Sequence, residues 1–232
     1  MNFSVDIKKL QVSSKEEVLV DISFKIEDST ALIGQSGSGK SLTLKSLLNL
    51  LPNNLKLVSN IDSSFELDSS NIGFIPQNPF TSLSPMTKVE KQFFCEKNRK
   101  LELLKLVGLE ETILNRFPSQ LSGGQLQRVV IAIALSKQIK LLLLDEPTTA
   151  LDDESKITIL NLLKELSSRF NFLLLYVTHD INSIKNICKN IVIIKSGKII
   201  EAGDTKTILE NPKNEYTKKL IESTFENKKF RK

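Results

Sequence analysis

Apolar positions along this chain fall into two patterns. Short alternating or continuous apolar runs read as strands, and runs with a period of roughly three to four residues read as helices. Ser4–Leu10 and Val18–Ile26 read as short strands, with polar Ser13–Glu17 as the turn between them. Phe24, Ile26, Ala31, Leu32 and Ile33 make an apolar approach to a glycine-rich stretch, and Leu42–Leu51 then reads as a helix ended by Pro52. Asn53–Ser70 is polar, with short alternating pieces around Ile61, Phe65 and Leu67 that predict small antiparallel strands or turns. Ile72–Gln77 is another strand. From Asn78 to about Gln120 the chain is rich in Lys and Glu and mostly helical in pattern. Leu101, Leu104 and Val107 share a helical face there, and Gly108 suits a helix end. This segment reads as an inserted helical lobe.

Leu121–Ser136 reads as a tight glycine turn opening a helix, with Leu126, Val129, Val130 and Ile133 on its buried face. Lys140–Asp152 begins as a fully apolar strand, the pattern of a strand inside a parallel sheet. Helix Glu154–Phe170, strand Phe172–Val177, helix Asp180–Cys188 and strand Ile191–Ile194 follow in alternation. A turn at Ser196–Gly197 leads to a last strand, Lys198–Ala202. The expected fold class is α/β: a sheet layered by helices around the glycine-rich stretch, with a small antiparallel β subdomain and the helical lobe at 78–120. We expect a single domain over 1–232 with a short C-terminal tail at 205–232. No internal repeat is evident.

The glycine-rich stretch Gly34–Ser41 reads GQSGSGKS and fits G-x-x-x-x-G-K-[ST]. It lies between an apolar strand and a helix, the context that a phosphate-binding loop needs. Gly37 and Gly39 let the backbone turn its N–H groups around a phosphate. The helix N-terminus adds partial positive charge. Lys40 has the reach to contact the β- and γ-phosphates, and Ser41 offers a hydroxyl to Mg²⁺. Further on, four leucines ending in Asp145 put that carboxylate at the tip of a buried strand, the Walker B arrangement that helps hold Mg²⁺. Glu146 follows at the strand's C-terminal edge, where a carboxylate orients and polarises a water that attacks the γ-phosphate. His179 is the one histidine of the chain, and by itself its role stays open.

Composition narrows the class without changing it. Over 232 residues, 40% are hydrophobic and 25% charged, ordinary values for a soluble globular protein. No apolar run approaches the roughly 18 residues of a membrane span, and the N-terminus MNFSVDIKKL lacks a signal-peptide core, so a cytoplasmic location is expected. Cys95 and Cys188 make neither a disulfide framework nor a metal cluster. The net charge of +5 is modest, and only the run Lys228–Lys232 is dense in basic residues; it reads as a solvated terminus.

The P-loop, LSGGQ (Leu121–Gln125), LLLLDEP, ALD and a strand ending in Thr178–His179 stand in the order found in ABC-transporter ATPase subunits. The chain resembles that family from about Asp6 to Ile221. The resemblance implies ATP and Mg²⁺ as cofactors and ATP hydrolysis as the activity. It implies nucleotide contacts by Gly34, Gln35, Ser36, Gly37, Ser38, Gly39, Lys40, Ser41, Thr43 and Asp145. Mg²⁺ would be held by Ser41, Gln77 and Asp145. Glu146, His179 and Gln77 are the implied catalytic residues, with Gln77 as the Q-loop glutamine and His179 as the switch histidine. Cassettes of this family pair head to tail, so Leu121, Ser122, Gly123, Gly124 and Gln125 would contact the ATP of a partner cassette, and Asp152 matches the D-loop acid.

One feature departs from the family. An aromatic usually precedes the second strand and stacks on adenine, yet none lies between Phe3 and Phe24. Adenine would then rest on aliphatic surface such as Val12, unless the tail around Tyr216 or a partner supplies a ring. QNPFTSLSP (Gln77–Pro85) and PKNEYTKKLI (Pro212–Ile221) are similar to segments of the peptide/nickel importer subfamily. Asn214–Glu215 replace its usual His-Pro pair. The chain stops without the cysteine-bearing extension of many peptide members, which leans the reading toward the short nickel-type members. The resemblance implies a related but different ATPase partner, two integral membrane permease subunits, an extracytoplasmic solute-binding protein acting indirectly, and a peripheral place on the cytoplasmic face of the inner membrane. A non-transport ABC ATPase acting on nucleic acid or ribosomes is the alternative. It would usually show two cassettes in one chain, a coiled-coil arm or zinc inserts, and these are absent, so no nucleic-acid partner is expected. A P-loop GTPase would want an N-K-x-D motif, and none occurs.

Overall fold

The computed structural model describes residues 3–229, with side chains through Ser223. The side chains of the basic run Lys228–Lys232 lie outside the described residues. Two sheets organise the molecule. Strands β1 (Val5–Ser13), β2 (Val18–Ile26) and β4 (Lys56–Ser63) form an antiparallel sheet in the order β2–β1–β4. Strands β3 (Ser29–Ile33), β5 (Ile72–Ile75), β6 (Leu141–Asp145), β7 (Leu173–Thr178), β8 (Asn190–Lys195) and β9 (Lys198–Asp204) form the main sheet in the order β5–β6–β7–β3–β8–β9. Its pairs are parallel except β8 with β9, which is antiparallel.

The apolar runs of the main sheet serve both of its faces. Side chains alternate along a strand, so Ala31, Ile33, Leu142, Leu144, Leu174, Tyr176, Ile191 and Ile193 enter one core. Helices α2 (Lys97–Leu106), α3 (Gly123–Ala134) and α4 (Asp153–Arg169) contribute Leu103, Leu126 and Ile159 to that same core. The alternate residues Leu32, Leu141, Leu143, Leu173, Leu175, Val192 and Ile194 enter a second core with the antiparallel sheet and with Leu44 and Leu47 of α1 (Lys40–Leu47). Continuous apolar strands follow from this double cover. The short helices α5 (Ile181–Ile184) and α6 (Thr205–Glu210) and the C-terminal α7 (Glu215–Lys229) complete the chain.

Several boundaries differ from the sequence expectation. Helix α1 ends at Leu47, well before Pro52, because Asn49 adopts a left-handed φ of 55°. The Leu50 N–H then bonds the Lys45 carbonyl (2.8 Å) and the Asn49 N–H that of Ser46 (3.2 Å), a Schellman closure that satisfies the helix end. Helix α5 is one turn long, since Ile187 and Cys188 both bond the Ile184 carbonyl and tighten the chain into a turn. Segment 78–120 holds a single α-helix, α2, among 3₁₀ turns. Gly108, with φ 68°, closes α2. Helix α3 is buried on more than one face: Gln127 and Ile131 are fully covered, whereas Ile133 is only partly so. It packs against α2, α4, β5 and the turn Pro79–Thr81, which leaves little of its circumference to solvent.

Candidate active site

Parallel strands bring the predicted residues together. The chain leaves β3 at Gly34, β5 just before Gln77, β6 at Asp145 and β7 at His179, and these are C-terminal ends on one edge of the sheet. Register keeps the ends level: Ile33 pairs with Thr178, Ile75 with Leu144, and Asp145 with Val177. The leucines Leu141–Leu144 are fully buried, and each contributes roughly 1.5–3 kcal/mol of burial, so the strand that carries Asp145 is firmly anchored.

In the P-loop, Gly37 and Gly39 have φ of 77° and 107°, left-handed values that glycine adopts without strain. Gln35, Ser36, Gly37 and Ser41 are exposed, whereas Gly34, Ser38 and Lys40 are buried. Open space surrounds the position of a Cβ at Gly37, so the loop presents bare backbone there. Lys40 Nζ donates to the carbonyls of Gly34 (2.7 Å) and Gln35 (3.0 Å). Burial lowers the Lys40 pKa from its ordinary value, while Glu146 and Asp145 pull it back up. Burial and the neighbouring Glu146 raise the Asp145 carboxyl above the usual carboxylate range, against Lys40 and Lys45. A buried cation facing two carboxylates under a helix N-terminus is suited to polyphosphate with a hard cation.

Glu146 is the hub. Its backbone sits at φ 44°, a conformation that costs a non-glycine residue roughly 1–2 kcal/mol, and its N–H bonds the Val177 carbonyl (2.8 Å). One carboxylate oxygen, Oε1, lies 2.9 Å from His179 Nδ1. The other accepts from the Thr149 hydroxyl (3.0 Å) and from Gln77 Nε2 (3.4 Å). An ionised carboxylate only accepts, so Nδ1 carries the proton and Nε2 is left as the second functional atom of His179. Glu146 is mostly buried and His179 half exposed. Gln77, Glu146 and His179, far apart in sequence, thus form one hydrogen-bonded cluster beside Asp145 and Lys40.

The signature stretch opens α3. Ser122 caps the helix: its hydroxyl accepts the Gln125 N–H (3.2 Å) and the Gln125 side chain accepts the Ser122 N–H (3.1 Å). Gly123 and Gly124 form its first turn, and Leu121 is buried beneath. A Cβ at Gly124 would stand 2.5 Å from the Ser155 hydroxyl, so glycine lets α3 meet α4 closely. Asp152 caps α4 by accepting the Ser155 N–H and hydroxyl (both 2.9 Å), which hold its carboxyl below the usual range.

Two expectations are corrected. Thr43 is fully buried and its hydroxyl donates to the Gly39 carbonyl (3.1 Å), so it braces the P-loop from within and has no face for nucleotide. Val12, on the central strand of the antiparallel sheet, is likewise fully buried in the second core and offers no surface to a base. Val18, 53% exposed and paired with Ser13, is the apolar surface beside that turn. Tyr216 lies at the P-loop: its hydroxyl accepts the Gln35 N–H (3.3 Å), its ring packs on the core, and Lys195 Nζ stands 4.7 Å over it. Sequence reading missed Thr149, although it stands only three residues past Glu146. It also read Gly197 only as a turn. The Gly197 N–H holds the Ser38 carbonyl (3.0 Å), and its own carbonyl takes the Asp21 N–H (2.8 Å), tying the P-loop to β2.

Fold and site together define a P-loop nucleoside triphosphatase with a signature helix. The family model described as ABC transporter matches residues 19–149. The chain is 33% identical, over 254 aligned positions, to the oligopeptide transport ATP-binding protein OppD of Bacillus subtilis, covering 94% of this chain and 71% of that one. It is 38% identical to the methionine import ATP-binding protein MetN 1 of Oenococcus oeni, covering 95% and 69%. Among solved structures, cbiO1 from Clostridium perfringens, part of the ABC transporter complex cbiONQ, superposes with a TM-score of 0.79 at 24% identity, over 91% of this chain and 92% of that one, and so shares the fold. The chain belongs to the ABC transporter family, as an ATP-binding subunit that hydrolyses ATP. Among the described residues no helix is long and apolar enough to cross a membrane.

Proposed function

We propose that this chain powers import of peptides by an ABC transporter, docked on permease subunits at the cytoplasmic face of the inner membrane. The observation that carries the reading is the cluster at one sheet edge: Lys40, Asp145, Glu146, Gln77 and His179 converge beside the P-loop. Gly34–Ser41 binds the phosphates through loop N–H groups and the start of α1, with Lys40 as their counter-charge. The donor set of Ser41, Gln77 and Asp145 is all oxygen, which suits Mg²⁺. The ion supplies charge neutralisation on the phosphates when bound. Glu146 orients and deprotonates the attacking water, and His179 and Gln77 hold its carboxylate in place. Thr149 fixes the same carboxylate from below.

The signature residues Leu121–Gln125 and Asp152 act on the nucleotide of a second cassette, a related chain in a heterodimer. The Ser122 cap presents the α3 N-terminus, and such a terminus favours an anion. Permease docking falls on the 78–120 segment near Gln77, where Phe80, Met86 and Phe94 are exposed. Relatives named for oligopeptide transport support a peptide cargo over nickel or a metal chelate. The test is uptake of labelled oligopeptides, methionine and nickel by cells carrying wild-type chain or Glu146→Gln, together with membrane co-purification. Loss of peptide uptake alone supports the reading. Loss of nickel or methionine uptake instead overturns the cargo, and co-purification with ribosomes or DNA overturns the transport role.

A further inference from the structure

Helix α4 begins at Asp152, and its first helical bond runs from the Lys156 N–H to the Asp152 carbonyl (2.8 Å). The Lys156 side chain leaves that first turn and reaches Asp180, with Nζ 2.6 Å from Oδ2. Asp180 is the residue after His179. Its other carboxylate oxygen accepts the Asn182 N–H (2.9 Å), and its own N–H donates to the Thr178 hydroxyl (3.0 Å). The side chains of this pair are 34% and 24% exposed. Among the described residues, every other pairing of Lys or Arg with Asp or Glu is more open to water, and three of those lie within one helix. Lys156–Asp180 instead joins two separate elements, 24 residues apart. Surface pairs of the open kind contribute little. A shielded pair that bridges two elements instead sets where one stands relative to the other.

We infer that Lys156 is a positioning residue for the reaction: through Asp180 it holds His179 against Glu146 and ties that pair to the Asp152 cap of α4. This rests on the catalytic reading of Glu146 and His179 given above. His179 is half exposed, and its ring is bonded on one side, to Glu146. Its backbone direction is therefore decided by the strand end behind it and by the tethered residue after it. Without the ammonium, Asp180 turns to solvent and the turn after β7 loses its bond to α4. The same tether gives the start of α4 a path to the catalytic cluster, since a shift of Asp152 moves Lys156 with it.

The experiment is steady-state hydrolysis of Mg-ATP by the assembled complex of this chain with its partner cassette, the chain carrying Lys156→Gln, Lys156→Arg, Asp180→Asn, Lys156→Gln with Asp180→Asn, or Glu146→Gln, with thermal unfolding of each variant chain. Lys156→Gln is expected to lower kcat roughly five- to tenfold, the scale of a small misplacement of reacting groups. KM stays within about twofold, because the P-loop is untouched. Lys156→Arg restores most of the loss, and the double variant is no slower than the worse single one. Wild-type kcat in Lys156→Gln, a loss confined to KM, or additive losses in the double variant would overturn the inference. Should Lys156→Gln unfold, Asp180→Asn carries the same test from the other side. Near-normal turnover by Glu146→Gln would instead remove the catalytic reading itself. A Glu146→Gln variant without turnover beside a fully active Lys156→Gln variant would sink the tether alone.

Discussion

Gly197 offers a sharp test of how the P-loop is supported. Its φ is +73°, and it stands where β8 turns into β9. An alanine Cβ there would lie 2.1 Å from the Leu19 carbonyl oxygen, 2.8 Å from its carbon and 3.0 Å from the Val20 Cα. All three are backbone atoms of β2, so no side chain is available to swing away. The left-handed conformation costs a non-glycine residue roughly 1–2 kcal/mol. Relief of the overlap requires the turn to move, which breaks the bonds to Ser38 and Asp21, each worth about 1 kcal/mol. The sum is about 3–4 kcal/mol. At roughly 2–4 °C per kcal/mol for a domain of this size, Tm should fall by about 6–16 °C. Gly37→Ala is the matched control. It has φ +77° but open space at its Cβ, so it carries only the conformational term of roughly 1–2 kcal/mol. The assay is thermal and urea unfolding without nucleotide, followed by equilibrium ATP binding. Gly197→Ala should be clearly the less stable variant, and both should bind ATP more weakly. If Gly197→Ala unfolds no earlier than Gly37→Ala, the strut to Ser38 is not a support.

Other predictions concern the site itself. Glu146→Gln should bind ATP yet lose about a hundredfold or more in turnover, the usual weight of a general base; single-turnover hydrolysis near the wild-type rate would exclude that role. Asp145 is held above the usual carboxylate range, so its ionised form is disfavoured in the fold, and its contribution to stability falls as pH rises from the ordinary carboxylate pKa through the raised one. Asp145→Asn should therefore raise Tm at pH 7 without nucleotide, by a margin that narrows as pH is lowered toward that range, while weakening Mg-ATP binding; a lower Tm at pH 7 would contradict the burial argument. Ser13→Tyr puts a ring beside exposed Val18 and should tighten ATP binding by the order of 1 kcal/mol, about fivefold. Ser14→Tyr should gain less, since the Ser14 hydroxyl accepts the N–H groups of Glu16 and Glu17 and closes the turn. Strong discrimination of ATP over GTP by the unmodified chain, with no gain from Ser13→Tyr, would show that the base is already gripped elsewhere.

Much of this protein was legible before any coordinates, wherever the physics is local. A strand, a glycine loop and a helix are contiguous, so Gly34–Ser41 announces its backbone geometry. Four leucines before Asp145 require a strand covered on both faces, and the alternation of Leu141–Leu144 between two cores is that cover. Leu121–Ser136 announces a glycine turn opening a helix, although the Ser122–Gln125 capping box that closes that turn came only with the structure. The chain could not show what depends on residues far apart. Leu42–Leu51 has helical spacing throughout, but the left-handed turn at Asn49 ends α1 early and closes it on the carbonyls of Lys45 and Ser46. Val12 reads as an aliphatic surface until the antiparallel sheet that contains it packs its side chain into the second core. Tyr216 against Gln35, Gly197 against Ser38 and Lys156 against Asp180 bridge elements whose adjacency comes from the strand order β7–β3–β8–β9 and the helices laid on it. Periodicity reports which face of an element is apolar. Which element covers that face, and which polar groups meet at its rim, is decided only when the sheet is assembled, because those contacts are set by strand order rather than by sequence neighbours.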